Sequence, residues 1–234
     1  MTVINTNVAA SITANALTKN ERAMSQAMER LSTGQRINNA GDDAAGLAIA
    51  SRMTSQVNGL NMAVRNANDA ISLVQTADGA IKEISSMLQR MRELAVQSES
   101  GALADADRDY LQLEVTQLFN EINAISANTK FNDTRVMTGA SFTFYTDIDV
   151  AGTALTTVTA ALYTSTLNIA TATISIGGGE TAANIAKVIS VIDDAIAKVD
   201  NRRANLGAIS NRFDHIIDNL TNVVANTEAA RSRV

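Results

Sequence analysis

Apolar residues recur in alternating steps of three and four over long stretches of this sequence. This spacing is that of a heptad seam, the pattern by which helices pack against one another along their length. The chain contains no proline, so nothing in these stretches forces a helix to end. We therefore predict a mainly α-helical protein, a long antiparallel, coiled-coil-like helical bundle (rod) with a small β-hairpin element in the middle of the chain.

The first seam predicts a helix over 44–98, roughly 55 residues and about 80 Å long. Its members are Val57, Leu60, Val64, Ala67, Ile71, Val74, Ala77, Ile81, Ile84, Leu88, Met91 and Ala95. Two successive steps of three, from Ile71 to Ala77, interrupt the alternation beside Gly79, as a stammer does in a coiled coil. We expect the supercoil to be overwound locally at this level.

A second, shorter helix is predicted after a break at residues 100–101. Asp105, Asp107 and Asp109 place negative charge near its N-terminus, where the helix dipole stabilises anionic side chains. Its apolar stripe fades near Asn128 and consists of Leu111, Val115, Leu118, Ile122 and Ile125. Because the connection to the first helix is short, we expect the two helices to run antiparallel.

The third seam is the most regular and continues to the end of the sequence. Its members are Ile185, Val188, Ile192, Ala195, Val199, Arg202, Leu206, Ile209, Phe213, Ile216, Leu220, Val223, Thr227, Ala230 and Val234. Only Arg202 and Thr227 among them are polar. A helix of about seven heptads is about 70 Å long, which allows it to pair with the first helix along its length.

The segment before the third helix has a different composition. Residues 150–179 contain no Asp, Glu, Lys or Arg and are rich in Thr, which favours β-strands. Phe142, Phe144 and Ile148 alternate with more polar residues, as do the residues of 171–176. We predict two or three short antiparallel strands or hairpins here, and a turn at Gly177-Gly178-Gly179 before the third helix.

The first 40 residues form a third kind of region, with only a weak helical stripe that extends to Leu31 among many Asn and Thr residues. A polar helix of this kind gains little stability alone, so we expect its partner to come from another segment or subunit. The predicted domains are an N-terminal arm (1–40), a discontinuous helical rod domain (41–140 and 180–234) and a small Thr-rich β element (141–179).

The composition argues against an enzyme. The chain has no cysteine and one histidine, His215, which we interpret as a packed or surface residue. The adjacent Asp42 and Asp43 suit a helix N-terminus better than acid–base chemistry. We therefore predict no catalytic residues, no metal and no cofactor. The net charge of −5 is spread along the chain, and neither a cleaved signal nor a run of about 18 apolar residues is present, so we predict no nucleic-acid or membrane partner.

Several long motifs occur at both ends of the chain. They are Ile4–Asn7, Leu31–Asn38 (LSTGQRIN), Asp42–Ala50 (DDAAGLAIA), Arg65–Ser72 (RNANDAIS), Leu88–Ser98 (LQRMRELAVQS), Asn205–Ala208 (NLGA) and Asn219–Arg233. Together they resemble the core rod regions of bacterial flagellin, the subunit of the flagellar filament, with a short variable region. Flagellins usually continue past the Ala-Arg-Ser-Arg stretch into a C-terminal helix that pairs with the arm, and this sequence stops at Val234, so we expect that helix to be missing.

The resemblance implies a structural subunit that polymerises into the bacterial flagellar filament for motility. It implies that the chain binds itself in a helical homopolymer, and also a flagellar export chaperone and the filament cap. It further implies secretion, unfolded, through the flagellar type III export channel to the extracellular filament. Two alternatives stay open: a flagellin-like surface protein that binds a glycan or a receptor, and a hook–filament junction protein, against which the dense match at 88–98 argues.

The resemblance also implies a ligand of the vertebrate Toll-like receptor that senses flagellin. Arg90, Leu94 and Glu114 fall on positions where similar flagellins contact that receptor. We expect the three side chains to form one exposed patch across two antiparallel helices. The alternative is that Arg90 and Glu114 are ordinary solvated helix charges and that Leu94 belongs with its seam neighbour Ala95.

Overall fold

The computed structural model describes residues 7–139, 141–146, 155–159, 167, 169 and 174–233. In these ranges the helices are α1 (Val8–Thr33), α2 (Ala44–Glu99), α3 (Asp105–Asn128) and α4 (Ala182–Arg233). The strands are β1 (Lys130–Phe131), β2 (Thr134–Arg135), β3 (Ser141–Tyr145) and β4 (Leu155–Thr159). The prediction of a mainly α-helical chain with a small antiparallel β-hairpin is confirmed.

The chain divides into two compact units. The first comprises Met1–Asn58 with Val224–Val234, and the second comprises Gly59–Val223. These units divide α2 and α4 near one end of each helix. The arm, rod and β boundaries expected from the sequence stay a prediction.

The core of the second unit is formed by the predicted seams. From α2, Ala67, Ala77, Ile81, Ile84, Leu88, Met91 and Ala95 are all fully buried, and from α4 so are Ile185, Ile192, Ala195, Val199 and Phe213. Two ion pairs fix the antiparallel register of α2 and α4, one between Arg92 and Asp193 and one between Asp78 and Arg203 at 3.0 Å. Along this part of α2, the seam therefore meets the partner predicted for it.

The buried face of α2 is wider than a simple coiled-coil seam. Neighbouring residues such as Ile84 and Ser85 are both buried, although adjacent side chains on a helix point about 100° apart. The reason is that α2 has two neighbours in this unit. Arg90 contacts Glu114 on α3, while Arg92 contacts Asp193 on α4.

The helix ends carry local sequence signals. Gly34 ends α1 with a φ of 67°, a left-handed conformation that favours glycine, and its N–H donates to the Arg30 carbonyl at 2.9 Å. Asp43 precedes α2, and its Oδ1 accepts the Gly46 N–H at 2.8 Å, as an N-cap does. Asp105 and Asp107 lie in the first turn of α3. The predicted bounds of the first rod helix, 44–98, are correct to within one residue, and α3 ends at Asn128, where its stripe was predicted to fade.

The β3–β4 hairpin packs on the helices of its unit. Phe142 pairs with Val158, whose side chain is fully buried. The Phe144 ring meets Phe213 of α4 edge to face, with centroids 6.1 Å apart. At the end of β3, the Tyr145 carbonyl accepts a hydrogen bond from Asn66 of α2 at 3.1 Å.

The sequence prediction missed the β1–β2 hairpin. Its two-residue turn consists of Asn132 and Asp133, both with positive φ, at 48° and 61°. These are the backbone angles of a type I′ turn, in which Asn and Asp are favoured. The Asn-Asp pair just after the apolar Phe131 was the available signal.

The predicted strand over 171–176 is wrong for its described part. Residues 174–176 are not a strand, and 171–173 and Ile148 lie outside the described residues. Side chains of the helices form hydrogen bonds with the backbone groups that would otherwise pair with a neighbouring strand. Gln112 accepts the Ile176 N–H, and the buried Ser98 hydroxyl donates to the Ile176 carbonyl, each at 2.6 Å. The segment therefore runs over the helices without pairing as a strand there.

The predicted glycine turn before α4 is confirmed. Gly179 has a φ of 89°, and the Gly178 N–H donates to Asp109 of α3 at 2.7 Å. A Cβ on Gly178 would lie 2.9 Å from the Asp105 carbonyl oxygen, which is too close for any other residue. The turn needs glycine because it passes directly over the first turn of α3.

Candidate functional site

Helix α1 carries uncovered apolar side chains along its length, and four of them (Leu17, Met24, Met28 and Leu31), spaced by seven, four and three residues, share one face. It is 26 residues long and contains no buried residue. Its large apolar side chains are between 60% and 82% exposed: Val8, Ile12, Leu17, Met24, Met28 and Leu31. This agrees with the expectation that the arm takes its partner from elsewhere. An amphipathic helix of this kind is a surface for another helix.

A polar loop fixes the C-terminal turns of α1 within the first unit. The Asp42 carboxylate accepts the backbone N–H groups of Asn38 and Asn39 at 3.2 Å each, and also the side-chain amide of Gln26 on α1. Arg30 lies 3.8 Å away. The bonds from Asn39, Asn38 and Gln26, in that order, lower the pKa of Asp42 below its ordinary value. Sequence reasoning missed this role.

The hydrogen bonds from the loop reach polar side chains of α1. Besides the bonds to Asp42, the Asn39 amide donates to Glu29 at 3.1 Å. The apolar side chains of the same turns, Met24, Met28 and Leu31, stay exposed. The loop therefore positions α1 without covering the face that another helix would occupy.

The predicted helix N-terminal role of the paired carboxylates is confirmed for Asp43 and wrong for Asp42. Asp43 accepts a helix N–H at the start of α2, and Asp42 accepts loop N–H groups. Gly46 is buried because it lies under this cap, where a Cβ would come within 2.7 Å of both Asp43 and Ile37. The motif from Leu31 to Ala50 thus builds a helix–loop–helix corner.

The predicted receptor residues Arg90 and Glu114 lie together. Arg90 Nε donates to Glu114 Oε1 at 2.9 Å, and Arg90 also donates to Glu93 at 3.1 Å. The Arg90 and Glu114 side chains are about half exposed, at 49% and 44%. The hydrogen bonds to Glu114 and Glu93 raise the pKa of Arg90. The sequence prediction did not include Glu93, although its position three residues after Arg90 was the signal.

Leu94 does not share this exposure, and the expectation of an exposed apolar contact there is wrong. Only 1% of Leu94 is exposed, and the residue belongs to the core with Ala95. The reason is the wide buried face of α2, which packs on both α3 and α4. In this structure the patch consists of Arg90, Glu93 and Glu114, with Leu94 beneath it.

The described residues contain no group of three or more His, Asp or Glu side chains placed to hold a metal. His215 lies exposed on α4. None of the helices in the described ranges is long and apolar enough to cross a membrane.

Comparisons with known proteins place the chain in a family. The family model for the N-terminal helical region of bacterial flagellin matches residues 4–141, which is more than half of the chain. The model for the C-terminal helical region of bacterial flagellin matches residues 189–234. The chain belongs to the bacterial flagellin family, a family of structural proteins of the extracellular flagellar filament.

Relatives and a solved structure agree with this assignment. A flagellin of Halalkalibacterium halodurans is 40% identical over 219 residues, which cover 89% of this chain and 76% of the relative. The flagellar filament 33 kDa core protein of Treponema phagedenis is 35% identical over 252 residues, and the match covers 99% of this chain and 85% of the relative. The crystal structure of Bacillus cereus flagellin superposes with a TM-score of 0.56 at 33% identity, over 71% of this chain and 94% of that one.

Proposed function

We propose that this chain polymerises with copies of itself into the flagellar filament that drives bacterial motility. The observation that carries the proposal is α1, a 26-residue helix with no buried residue and six large exposed apolar side chains. Covering such a face requires a further helix, and a contact that repeats between identical chains without closing generates a filament. The family assignment supports the same function.

We further propose that the chain is exported unfolded through the flagellar type III channel, with an export chaperone before export and the filament cap at assembly. An uncovered apolar helix favours association of the chain with other copies or other proteins before it reaches the filament. A chaperone that covers apolar residues until assembly would prevent this. The absence of cysteine suits a chain that must be unfolded to pass a channel, because no disulfide can hold it folded.

The test compares two substitutions one residue apart on α1. Leu17→Asp places a charge on the apolar face, whereas Thr18→Asp places the same charge about 100° away on the helix. When each variant is mixed with wild-type flagellin, the Leu17→Asp chain should not enter the filaments that form. The Thr18→Asp chain should enter them. Equal incorporation of the two variants would contradict the proposal.

We also propose that the surface at Arg90, Glu93 and Glu114 binds the vertebrate Toll-like receptor for flagellin. The 2.9 Å contact of Arg90 with Glu114 supports it, since two helices together present an exposed donor fork and an acceptor. Leu94 acts beneath the surface, where its packing keeps α2 and α3 in place. Receptor binding is implied by the resemblance to flagellin and is a separate function from filament formation.

Arg92 provides the matched control for this proposal. It lies two residues from Arg90, is exposed to a similar degree and also forms an ion pair, but with Asp193 on α4. If Arg90 is a central contact, Arg90→Ala should weaken receptor signalling about tenfold or more, as loss of an interface hot spot does. Arg92→Ala should leave signalling unchanged. Equal potency of the Arg90→Ala variant and the wild type in a reporter-cell assay would reject the patch.

A further inference from the structure

Two glycines lie near one another on α2 and α4 within the unit Gly59–Val223. Gly79 follows Asp78, and Gly207 lies one helical turn after Arg203, while Asp78 and Arg203 form an ion pair at 3.0 Å. Glycine is the least favourable residue in a helix interior after proline, because it loses the most backbone freedom. Both glycines are deep inside helices of more than 50 residues.

Neither glycine is needed for packing within the chain. A Cβ on Gly79 or on Gly207 would meet no atom within 4 Å, and neither residue has a positive φ. Gly46 and Gly178 differ, since a Cβ at either would clash with a neighbour. Alanine would therefore fit at Gly79 and at Gly207, and helix propensity would favour it.

Near Gly79 and Gly207, the seams of α2 and α4 contribute few large apolar side chains. The α2 seam contributes only the small Ala77 there, just after the two steps of three. On α4, the seam position between Val199 and Leu206 is occupied by the half-buried Arg202. An open groove of about 430 Å³ lies beside the glycines, lined in part by Val74, Leu206 and Ser210. The two glycines, which are poor helix formers, thus lie where the seams have little apolar volume and where a groove is open.

We propose that this level is a bending point of the α2–α4 helix pair. The levels on either side resist bending because large side chains are buried there, such as Leu73 and Phe213 on one side and Ile84 and Leu88 on the other. At Gly79 and Gly207 the helices can change curvature without moving a packed side chain. The exposed ion pair between Asp78 and Arg203 holds the two helices together there and tolerates such a change.

The test measures distances between spin labels on the two sides of Gly79 in the monomeric chain. The chain has no cysteine, so labels can be placed at Asn61→Cys and Gln89→Cys, both exposed on α2 and about 42 Å apart along a straight helix. The control pair, Lys82→Cys and Val96→Cys, does not span the glycines. We expect a broad distance distribution for the spanning pair only, which narrows when Gly79→Ala and Gly207→Ala are combined.

Amide exchange provides the second measurement. Each alanine should slow the exchange of neighbouring amides about fivefold, the factor that corresponds to the helix propensity of glycine relative to alanine. The control substitutions Ser86→Ala and Ser190→Ala, at exposed positions away from this level, should leave that exchange unchanged. The proposal would be overturned if the distance distribution of the spanning pair were as narrow as that of the control pair. It would also be overturned if the two alanine substitutions left the spanning-pair distribution as broad as before. Because the monomer is used, failure here is independent of filament formation.

Discussion

Helix α1 and the buried part of α2 have the same apolar spacing and opposite environments. In α1, Leu17, Met24 and Leu31 are seven residues apart, and all are more than 60% exposed. In α2, Val74, Ile81, Leu88 and Ala95 are also seven residues apart, and all are 3% exposed or less. The spacing therefore shows that a face is suited to helix packing, but it does not show whether the partner is in the same chain.

The difference has a physical cause. The α2 seam meets α3 and α4, and apolar area removed from water contributes about 25 cal/mol per Å². The face of α1 removes almost no area from water, so α1 gains little beyond its own backbone hydrogen bonds. The α2 seam should thus be stable in the monomer, whereas α1 should become stable only on assembly.

The largest contrast should come from the same substitution in both regions. Leu88→Asp buries an unpaired carboxylate, which should cost about 3 to 5 kcal/mol and unfold much of the unit Gly59–Val223. Leu17→Asp places the charge in water and should leave the melting temperature unchanged. Thermal melts of the two monomeric variants by circular dichroism provide the measurement. Similar losses from both would mean that α1 is covered in the monomer.

The next effect concerns the aromatic contact that joins α4 to the β3–β4 hairpin. Phe213 is fully buried, so Phe213→Ala should lower the free energy of unfolding by about 3 to 5 kcal/mol. A double-mutant cycle with Phe144→Ala should give a coupling of about 0.5 to 1.5 kcal/mol. Urea denaturation of the four proteins measures both values. Zero coupling would show that the hairpin is not packed on α4 in solution.

A smaller effect separates a buried hydroxyl from an exposed one. Ser98→Ala leaves the buried Ile176 carbonyl without the Ser98 donor and should cost about 1 to 3 kcal/mol. Thr18→Ala on α1 removes a comparable bond, to the Ala14 carbonyl, in a position where water replaces it. The unfolding of the second unit should respond to Ser98→Ala alone. An equal response to Thr18→Ala would remove the distinction between the regions.

The smallest effect is a pH dependence within the corner that positions α1. The folded chain lowers the pKa of Asp42, so this carboxylate stabilises the loop above its unfolded pKa. That contribution is lost as the pH falls through the lowered pKa. The amide protons of Asn38 and Asn39 should report a titration midpoint below the ordinary value of 3.8 in NMR spectra. Asp42→Asn should abolish the transition, and a midpoint above 3.8 would contradict the assigned hydrogen bonds.

Much of the helical fold could be predicted from the sequence because its seams are regular and its ends carry local signals. Gly34 and Asp43 act within one or two turns of their own positions, so sequence alone identifies them. The fate of residues 174–176 could not be predicted, because Ser98 and Gln112, which bind Ile176, are more than 60 positions away. Local alternation carries no information about such distant partners.

The candidate receptor site was predicted only in part for the same kind of reason. Arg90 and Glu114 are exposed charges, and their contact follows from the antiparallel register of two neighbouring helices. The burial of Leu94 depends on how wide a face α2 presents, which is set by the number of helices packed against it. A heptad pattern defines the centre of such a face but not its edges.

Hydrogen exchange of α1 before and after assembly tests the central claim most directly. In the monomer, the amides of Val8–Thr33 should exchange fast while those of α2 between Leu73 and Ala95 stay protected, because only the latter have tertiary cover. In polymer formed with wild-type flagellin, α1 should become protected and α2 should change little. Protection of α1 in the monomer equal to that of α2, or no gain on assembly, would contradict the account.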